Sequence, residues 1–315
     1  MTGRRLPRAV PAPALFMISG ISQHLGSAVA VGLFVVMPAT TVAWWRMLVS
    51  ALILLAWRRP WRTRWTRRTL AGSAIFGVVL GAMNLLFYSA IDHLPLGTAV
   101  SLEYLGPVAV AALGRRGFRA RAAIALALLG VVSIGGLGLD WSEPGTAAGV
   151  AFALAAGAAW AVYIVLGRRI AGARSGLDSL AVGMATASLV YAPVAVPTAG
   201  AAFSTALLLA AVVGVAVLSS LLPYAIEQVA LTRLPAATFA LLTSLLPATS
   251  LLVGLVVLLQ VPTVGEVVGL VLISLAVLLA SRDDVPPRAS RAAGPAPVPP
   301  AGPTAPPAGP ATPHE

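Results

Sequence analysis

Three side chains within apolar runs long enough to cross a bilayer could hold or move charge: Glu103, His24 and Arg46. An ionisable group at that depth costs at least about 2.5–3.5 kcal/mol and usually marks function. Glu103 is the proton-coupling candidate; the plainer alternative is a protonated or paired structural acid. His24, next to Gln23, offers a donor and an acceptor when neutral and can take up a proton. It is equally readable as a structural histidine. Arg46 could grip a substrate carboxylate bidentately. Because it follows Trp44 and Trp45, the expectation is that it snorkels towards lipid headgroups. Glu227 is expected to pair with an arginine such as Arg233. Asn84 and Tyr88 share a helix face at i, i+4, as Trp160 and Tyr163 do at i, i+3. With Tyr104 and Thr243 these are the candidates for a substrate cavity, although interhelical hydrogen bonding explains such pairs equally well. The chain has no cysteine, and no histidine has acidic partners at ligand spacing, so neither a metal nor a cofactor is expected. An intramembrane enzyme would need a clustered acid–base or nucleophile constellation. His24 and Glu103 lie on different predicted helices with no motif joining them, so no enzymatic activity is expected.

The elements that must position these groups follow from composition. The 315 residues are 58% hydrophobic and 10% charged, with a mean hydropathy of +0.91; a soluble domain carries about 25% charged residues. Lipid is therefore the solvent. The net charge of +11 comes from arginines in short loops, a topology signal that argues against nucleic acid as a partner. At roughly 20 apolar residues per crossing, an all-α membrane protein of ten transmembrane helices is predicted, at 14–36, 39–57, 70–91, 95–114, 120–138, 146–167, 177–196, 206–231, 235–259 and 264–281. Trp44, Trp45, Trp57, Trp61, Trp65 and Trp141 fall near the ends, where interfacial aromatics belong. Arg58, Arg59, Arg62, Arg64, Arg67 and Arg68, then Arg115, Arg116, Arg119 and Arg121, then Arg168, Arg169 and Arg174 all fall on one side of this plan. The opposite loops hold Asp92, His93, Asp140 and Glu143. The positive-inside rule then puts both termini in the cytoplasm. Arg4 and Arg5 ahead of an apolar run ending in Ala28-Val29-Ala30 resemble a cleavable signal, but cleavage would remove the repeat partner of the sixth helix. Residues 282–315, rich in proline and alanine, are expected to be a disordered cytoplasmic tail.

Residues 94–107, LPLGTAVSLEYLGP, are echoed 140 positions later by 234–247, LPAATFALLTSLLP. Two repeats follow, at 14–138 and 146–281, behind a short N-terminal segment, 1–13. An offset of five helices inverts one copy relative to the other, an arrangement typical of secondary transporters with a midplane site between the halves. Pro107 and Pro247 each remove a helical donor. They free the carbonyls of Glu103 and Thr243 and mark a kink in each copy. Glu103, eight residues after Pro95, is about 12 Å deep.

GAMNLLFYSAIDHLPLGTAVSLEYLGPVAVAAL at 81–113 and LSSLLPYAIEQVALTRLPAATFALL at 218–242 resemble the threonine/homoserine exporter branch of the EamA-type drug/metabolite transporters. RPWRTRW at 59–65 and AAWAVYIVLGRR at 158–169 do the same. The resemblance implies two inverted five-helix repeats in a bacterial inner membrane and proton-driven efflux of small amino acids. Arg46, Asn84, Glu103, Pro107, Glu227 and Pro247 match the family pattern. Leu246 and Gln260 stand where that family often has acids, and His24 stands where the branch tends to have glutamine. The expected partners are a small-molecule substrate, protons and the lipid bilayer; a homodimer is a candidate assembly. Efflux of hydrophobic drugs or uptake of another metabolite is the alternative reading of the same fold.

Overall fold

A computed structural model describes residues 12–113, 117–171, 176–223, 226, 242 and 244–281. All regular elements among them are helical. They are α1 (Ala12–Leu33), α2 (Ala39–Arg58), α3 (Arg67–Ile91), α4 (Leu96–Glu103), α5 (Leu105–Leu113), α6 (Phe118–Ser133), α7 (Thr146–Ala171), α8 (Gly176–Val190), α9 (Ala192–Ala199), α10 (Ala206–Ala216), α11 (Leu246–Val257) and α12 (Val264–Ser281). Among the described residues five helices are long and apolar enough to cross a membrane, in α1, α2, α3, α6 with its extension, and α7. Shorter apolar helices cover Leu96–Val110, Ala206–Leu221, Leu246–Val257 and Val264–Ala280.

The ends of these helices are chemically set. Pro38 and Pro95 stand at the N-caps of α2 and α4, where a missing N–H costs nothing. Thr66 and Thr69 close a reciprocal cap on α3. Arg59, at φ 49°, turns the chain out of α2. Both α6 and α10 run into a single π-helical turn, Ile134–Gly138 and Val217–Leu221.

Among the described residues, three predicted spans are not continuous rods. The segment 177–196 breaks at Tyr191, and Leu177–Val190 meets Ala192–Phe203 at 70°. Pro193 sits in the first turn of α9, so that turn begins a new helix rather than extending α8. The segment 95–114 breaks at Tyr104, between α4 and α5. The Tyr104 and Val108 amides bond to the carbonyls of Val100 and Tyr104, and Pro107 leaves the Glu103 carbonyl without its helical donor. That carbonyl is buried against Gly157 of α7; a β-carbon there would come within 2.8 Å of it. The second copy breaks one residue later in the repeat, with Leu245 outside the helix and α11 starting at Leu246, one residue before Pro247.

Helix packing follows the repeat. Exchanging α1 with α7, α2 with α8, α3 with α10, α4–α5 with α11 and α6 with α12 carries these contacts onto one another or onto themselves. The α3–α7 contact becomes α10–α1, α2–α10 becomes α8–α3, and α4–α7 becomes α11–α1, while α2–α8, α4–α11 and α6–α12 map onto themselves.

Trp44 and Trp45 are not interfacial. They are 7% and 8% exposed, and their indole N–H groups donate to the carbonyls of Ser188 (2.7 Å) and Ala199 (3.3 Å). The bend after α8 folds α9 over this end of α2, so the tryptophans face protein. Trp57, Trp61 and Trp141 are exposed, as interfacial residues should be.

With no hydrophobic drive between helices in lipid, association relies on close backbone approach at small residues. The α3–α8 crossing is the clearest case, because a β-carbon on Gly77 would collide with the Gly183 backbone. Gly77→Ala is expected to lower stability by about 1–3 kcal/mol. Gly32→Ala, where nothing lies within 4 Å, serves as the near-neutral control. Thermal unfolding in detergent of the two variants compares them directly.

Candidate functional site

A cavity of about 170 Å³ lies between the two copies of the repeat. α1 to α4 wall it on one side, and α7, the turn after α10 and α11 on the other. Glu103 reaches it as the last residue of α4, because the helix breaks immediately after it. Its side chain is buried, at 8% exposure, and its carboxyl accepts no hydrogen bond from the described residues. Arg46 faces the same cavity and its charge acts on Glu103.

Arg46 does not snorkel. It is 8% exposed, its Nε donates to Ser220 Oγ at 2.8 Å and its Nη2 to the Ser219 carbonyl at 2.7 Å. The π-turn that ends α10 presents those two groups, a common use of such a bulge. The Tyr88 ring lies against the guanidinium, 5.5 Å from Cζ to centroid, in cation–π range. A guanidinium has five N–H donors, so these two bonds leave it able to grip an anion in the cavity.

His24, Asn84, Tyr104, Trp160 and Tyr163 also line the cavity. Tyr104 and Trp160 meet edge to face at 4.8 Å, and Tyr163 lies against Phe76 at 4.5 Å. Asn84 donates to the Leu80 carbonyl at 2.8 Å. Tyr88 is fully buried behind Arg46 and does not line the wall. Thr243 and Glu227 lie outside the described residues. Pro107 and Pro247 sit beside the two helix breaks and form no part of the wall. Among the described residues no cluster of His, Asp and Glu could hold a metal.

Sequence reasoning missed two groups. Ser219 lines the cavity from the π-turn; its only signal was a pair of adjacent serines in an apolar run. Glu266 is buried at the start of α12. It caps that helix reciprocally with Thr263, whose N–H donates to Oε2 at 2.8 Å, a Thr-x-x-Glu pattern visible in the sequence. Its Oε1 accepts from the Thr98 hydroxyl of α4. Beside it, Gln260 Oε1 accepts from the Leu96 N–H at 3.0 Å. Two ties therefore join the start of α4 to the other copy of the repeat.

The EamA-like transporter family matches residues 12–139 and again 147–282. The chain belongs to the EamA-like transporter family. As a member it is a membrane transporter rather than an enzyme, with the two-repeat EamA layout. It is 40% identical over 253 residues to the threonine/homoserine exporter RhtA of Salmonella typhimurium (strain LT2), covering 80% of this chain and 85% of that one. To the threonine/homoserine exporter RhtA of Escherichia coli (strain K12) it is 38% identical over the same length and shares. A crystal structure at 18% identity superposes with a TM-score of 0.53, over 85% of this chain and 96% of its own, which is a likeness of fold alone.

Proposed function

We propose that this EamA protein is a secondary transporter that exports threonine, homoserine or similarly small amino acids across the bacterial inner membrane in exchange for protons. It would work by alternating access between two inverted five-helix repeats, 14–138 and 146–281, with ten crossings and both termini cytoplasmic. The observation that carries this reading is one cavity, shared by both copies, holding a carboxyl and a guanidinium that make no contact ion pair. An amino acid needs such a pair of groups: Arg46 for its carboxylate, and Glu103 for its ammonium or, when empty, for a proton. A hydrophobic drug would gain nothing from a desolvated guanidinium, so the cavity argues against that alternative. The RhtA relatives, named for threonine and homoserine, support the same substrate class. The packing symmetry under exchange of the repeats supports alternating access. The test is reconstitution in vesicles with an acidic lumen. Radiolabelled threonine and homoserine accumulate if the reading is right. Absence of accumulation across a panel of amino acids, with the protein shown to be folded, would sink it.

In this scheme the Thr98–Glu266 and Leu96–Gln260 bonds hold the outer end of the cavity shut and must part when it opens outward. Thr98→Val leaves a buried carboxylate oxygen without its donor, a loss worth about 1.5–3 kcal/mol. The equilibrium should move towards the open state by tenfold or more. The chain has no native cysteine, so a single Val100→Cys, on the cavity wall, reports this cleanly. Its labelling by an impermeant maleimide from outside is expected to speed up by about that factor in the Thr98→Val background.

A further inference from the structure

The first helix of each repeat packs on the other copy. Among the described residues, α1 makes its main contacts with α10, the π-turn after it and α11, and within its own copy with α2 alone. α7 packs on α3, α4 and α5. The closest approaches fall on glycines. A β-carbon on Gly26 of α1 would come within 2.8 Å of the Ser219 backbone nitrogen, and one on Gly20 would run into the Leu246 side chain. A β-carbon on Gly106 of α5 would collide with the Gly157 carbonyl of α7, and one on Gly149 with His93 and Leu94. Polar and aromatic contacts fall in the same places. The Ser19 and Ser22 hydroxyls of α1 donate to the carbonyls of Pro223 at 3.3 Å and Leu218 at 2.9 Å. On α7, Phe152 stacks on His93, Trp160 meets Tyr104 and Tyr163 lies against Phe76.

Sorted by packing, the cavity has two walls that cut across the sequence repeats. One is α1, the π-turn and α11, with Gln23, Ser27 and Leu246. The other is α3, α4 and α7, with Asn84, Glu103 and Trp160. Arg46 is fastened to the first wall, because both of its bonds go to Ser219 and Ser220. The carboxyl and the guanidinium therefore stand on opposite walls. Elements packed backbone to backbone move together, since close-packed interfaces switch between discrete arrangements and do not deform continuously. The boundary between the walls is the cavity itself, shut at its outer end by the Thr98–Glu266 and Leu96–Gln260 bonds and by the packing of α4 on α11.

We propose that the bodies that rock are two helix-exchanged bundles, α1–α10–α11 carrying Arg46 and α7–α3–α4–α5 carrying Glu103, and that the two charges of the substrate bridge them. Exchanging α1 with α7, α3 with α10 and α4–α5 with α11 carries one bundle onto the other, so the symmetry that alternating access needs is kept. A zwitterion bonded to both bundles couples their movement to its own presence. A ligand with one charge holds one bundle only. This rests on the export reading above and adds to it the parts that move.

The experiment places spin labels on pairs of introduced cysteines, the chain having none of its own. The positions are exposed and lie near the outer helix ends: Val35 after α1, Asp92 after α3, Glu143 before α7 and Leu207 in the first turn of α10. Distances are read by double electron–electron resonance in vesicles in alkaline buffer, where an empty Glu103 holds no proton, with and without threonine on both sides. Each double variant is first assayed for threonine transport. Val35–Leu207 and Asp92–Glu143 should keep one distance in both conditions. Val35–Asp92 and Glu143–Leu207, each pair within one sequence repeat, should shift by several ångströms or gain a second distance when threonine is present. Threonine methyl ester should leave all four as they are without substrate. A threonine-dependent shift in Val35–Leu207 or Asp92–Glu143 overturns the proposal. So do four constant distances in a preparation that transports threonine, and so does a methyl ester that acts as threonine does. Failure of the wild type to move any amino acid would instead reject the export reading.

Discussion

Glu103→Gln is expected to abolish proton-driven accumulation of threonine, with the fold retained and the exchange of threonine for threonine surviving at a raised KM, because the amide oxygen still accepts from the ammonium but no longer carries charge. Glutamine keeps the size and hydrogen-bonding reach of the side chain but cannot release a proton. Because the Glu103 carboxyl accepts no bond from the described residues, the substitution breaks no internal contact of the wall. The same freedom makes the carboxyl useful: a group already bonded to the scaffold would give up its proton only at the cost of that bond. The expected fall in gradient-driven uptake is at least about 10²-fold, the size of effect for removing a required proton-transfer group. The check is paired assays on one preparation, uptake with a pH gradient and exchange without one. A variant that still concentrates threonine against its gradient would remove Glu103 from coupling.

Arg46→Gln should have the next largest effect, through a different parameter. The substitution removes a charge-assisted anchor for the substrate carboxylate, and such bonds are worth about 1.5–3 kcal/mol each. Apparent KM for threonine should therefore rise by about 10²-fold. Arg46→Lys should rescue little, because a single ammonium cannot bond Ser220 Oγ, the Ser219 carbonyl and a carboxylate in the fork that guanidinium provides. Threonine methyl ester, which lacks the carboxylate, separates this role from a purely structural one. It should compete poorly against threonine in the wild type and nearly as well as threonine in Arg46→Gln. A KM unchanged in a folded variant, or an ester that competes fully in the wild type, would return Arg46 to a packing role.

Much of this site was legible from the chain because the chemistry is sparse. In a sequence with 10% charged residues, a glutamate inside the repeated LP…P element stands out. The prolines that mark the repeat also locate the break that ends α4 at Glu103. Arg46 was misread because its neighbours Trp44 and Trp45 look like an interfacial girdle. Which face of α2 is covered depends on the 70° bend between α8 and α9, and hydropathy, which averages over a window, does not register a bend. Asn84 and Tyr88 share a helix face as the spacing implies, yet the wall ends between them, with Tyr88 turned under Arg46. Ser219 needed knowledge of a π-turn, which one serine pair cannot supply. Glu266 was readable as a helix cap. Its bond to Thr98 was not, since that requires two segments from different copies of the repeat to meet.

The central claim, that an amino acid and a proton exchange through the Glu103–Arg46 cavity, is tested most directly by watching the proton. Purified protein is reconstituted in vesicles holding a pH-sensitive dye, with no initial pH gradient and the membrane potential clamped. Threonine is then added outside. Exchange predicts that the lumen becomes more alkaline as threonine enters and protons leave, at matched rates, and that Glu103→Gln shows no pH change. Threonine entry into the lumen with no accompanying proton movement would contradict the account.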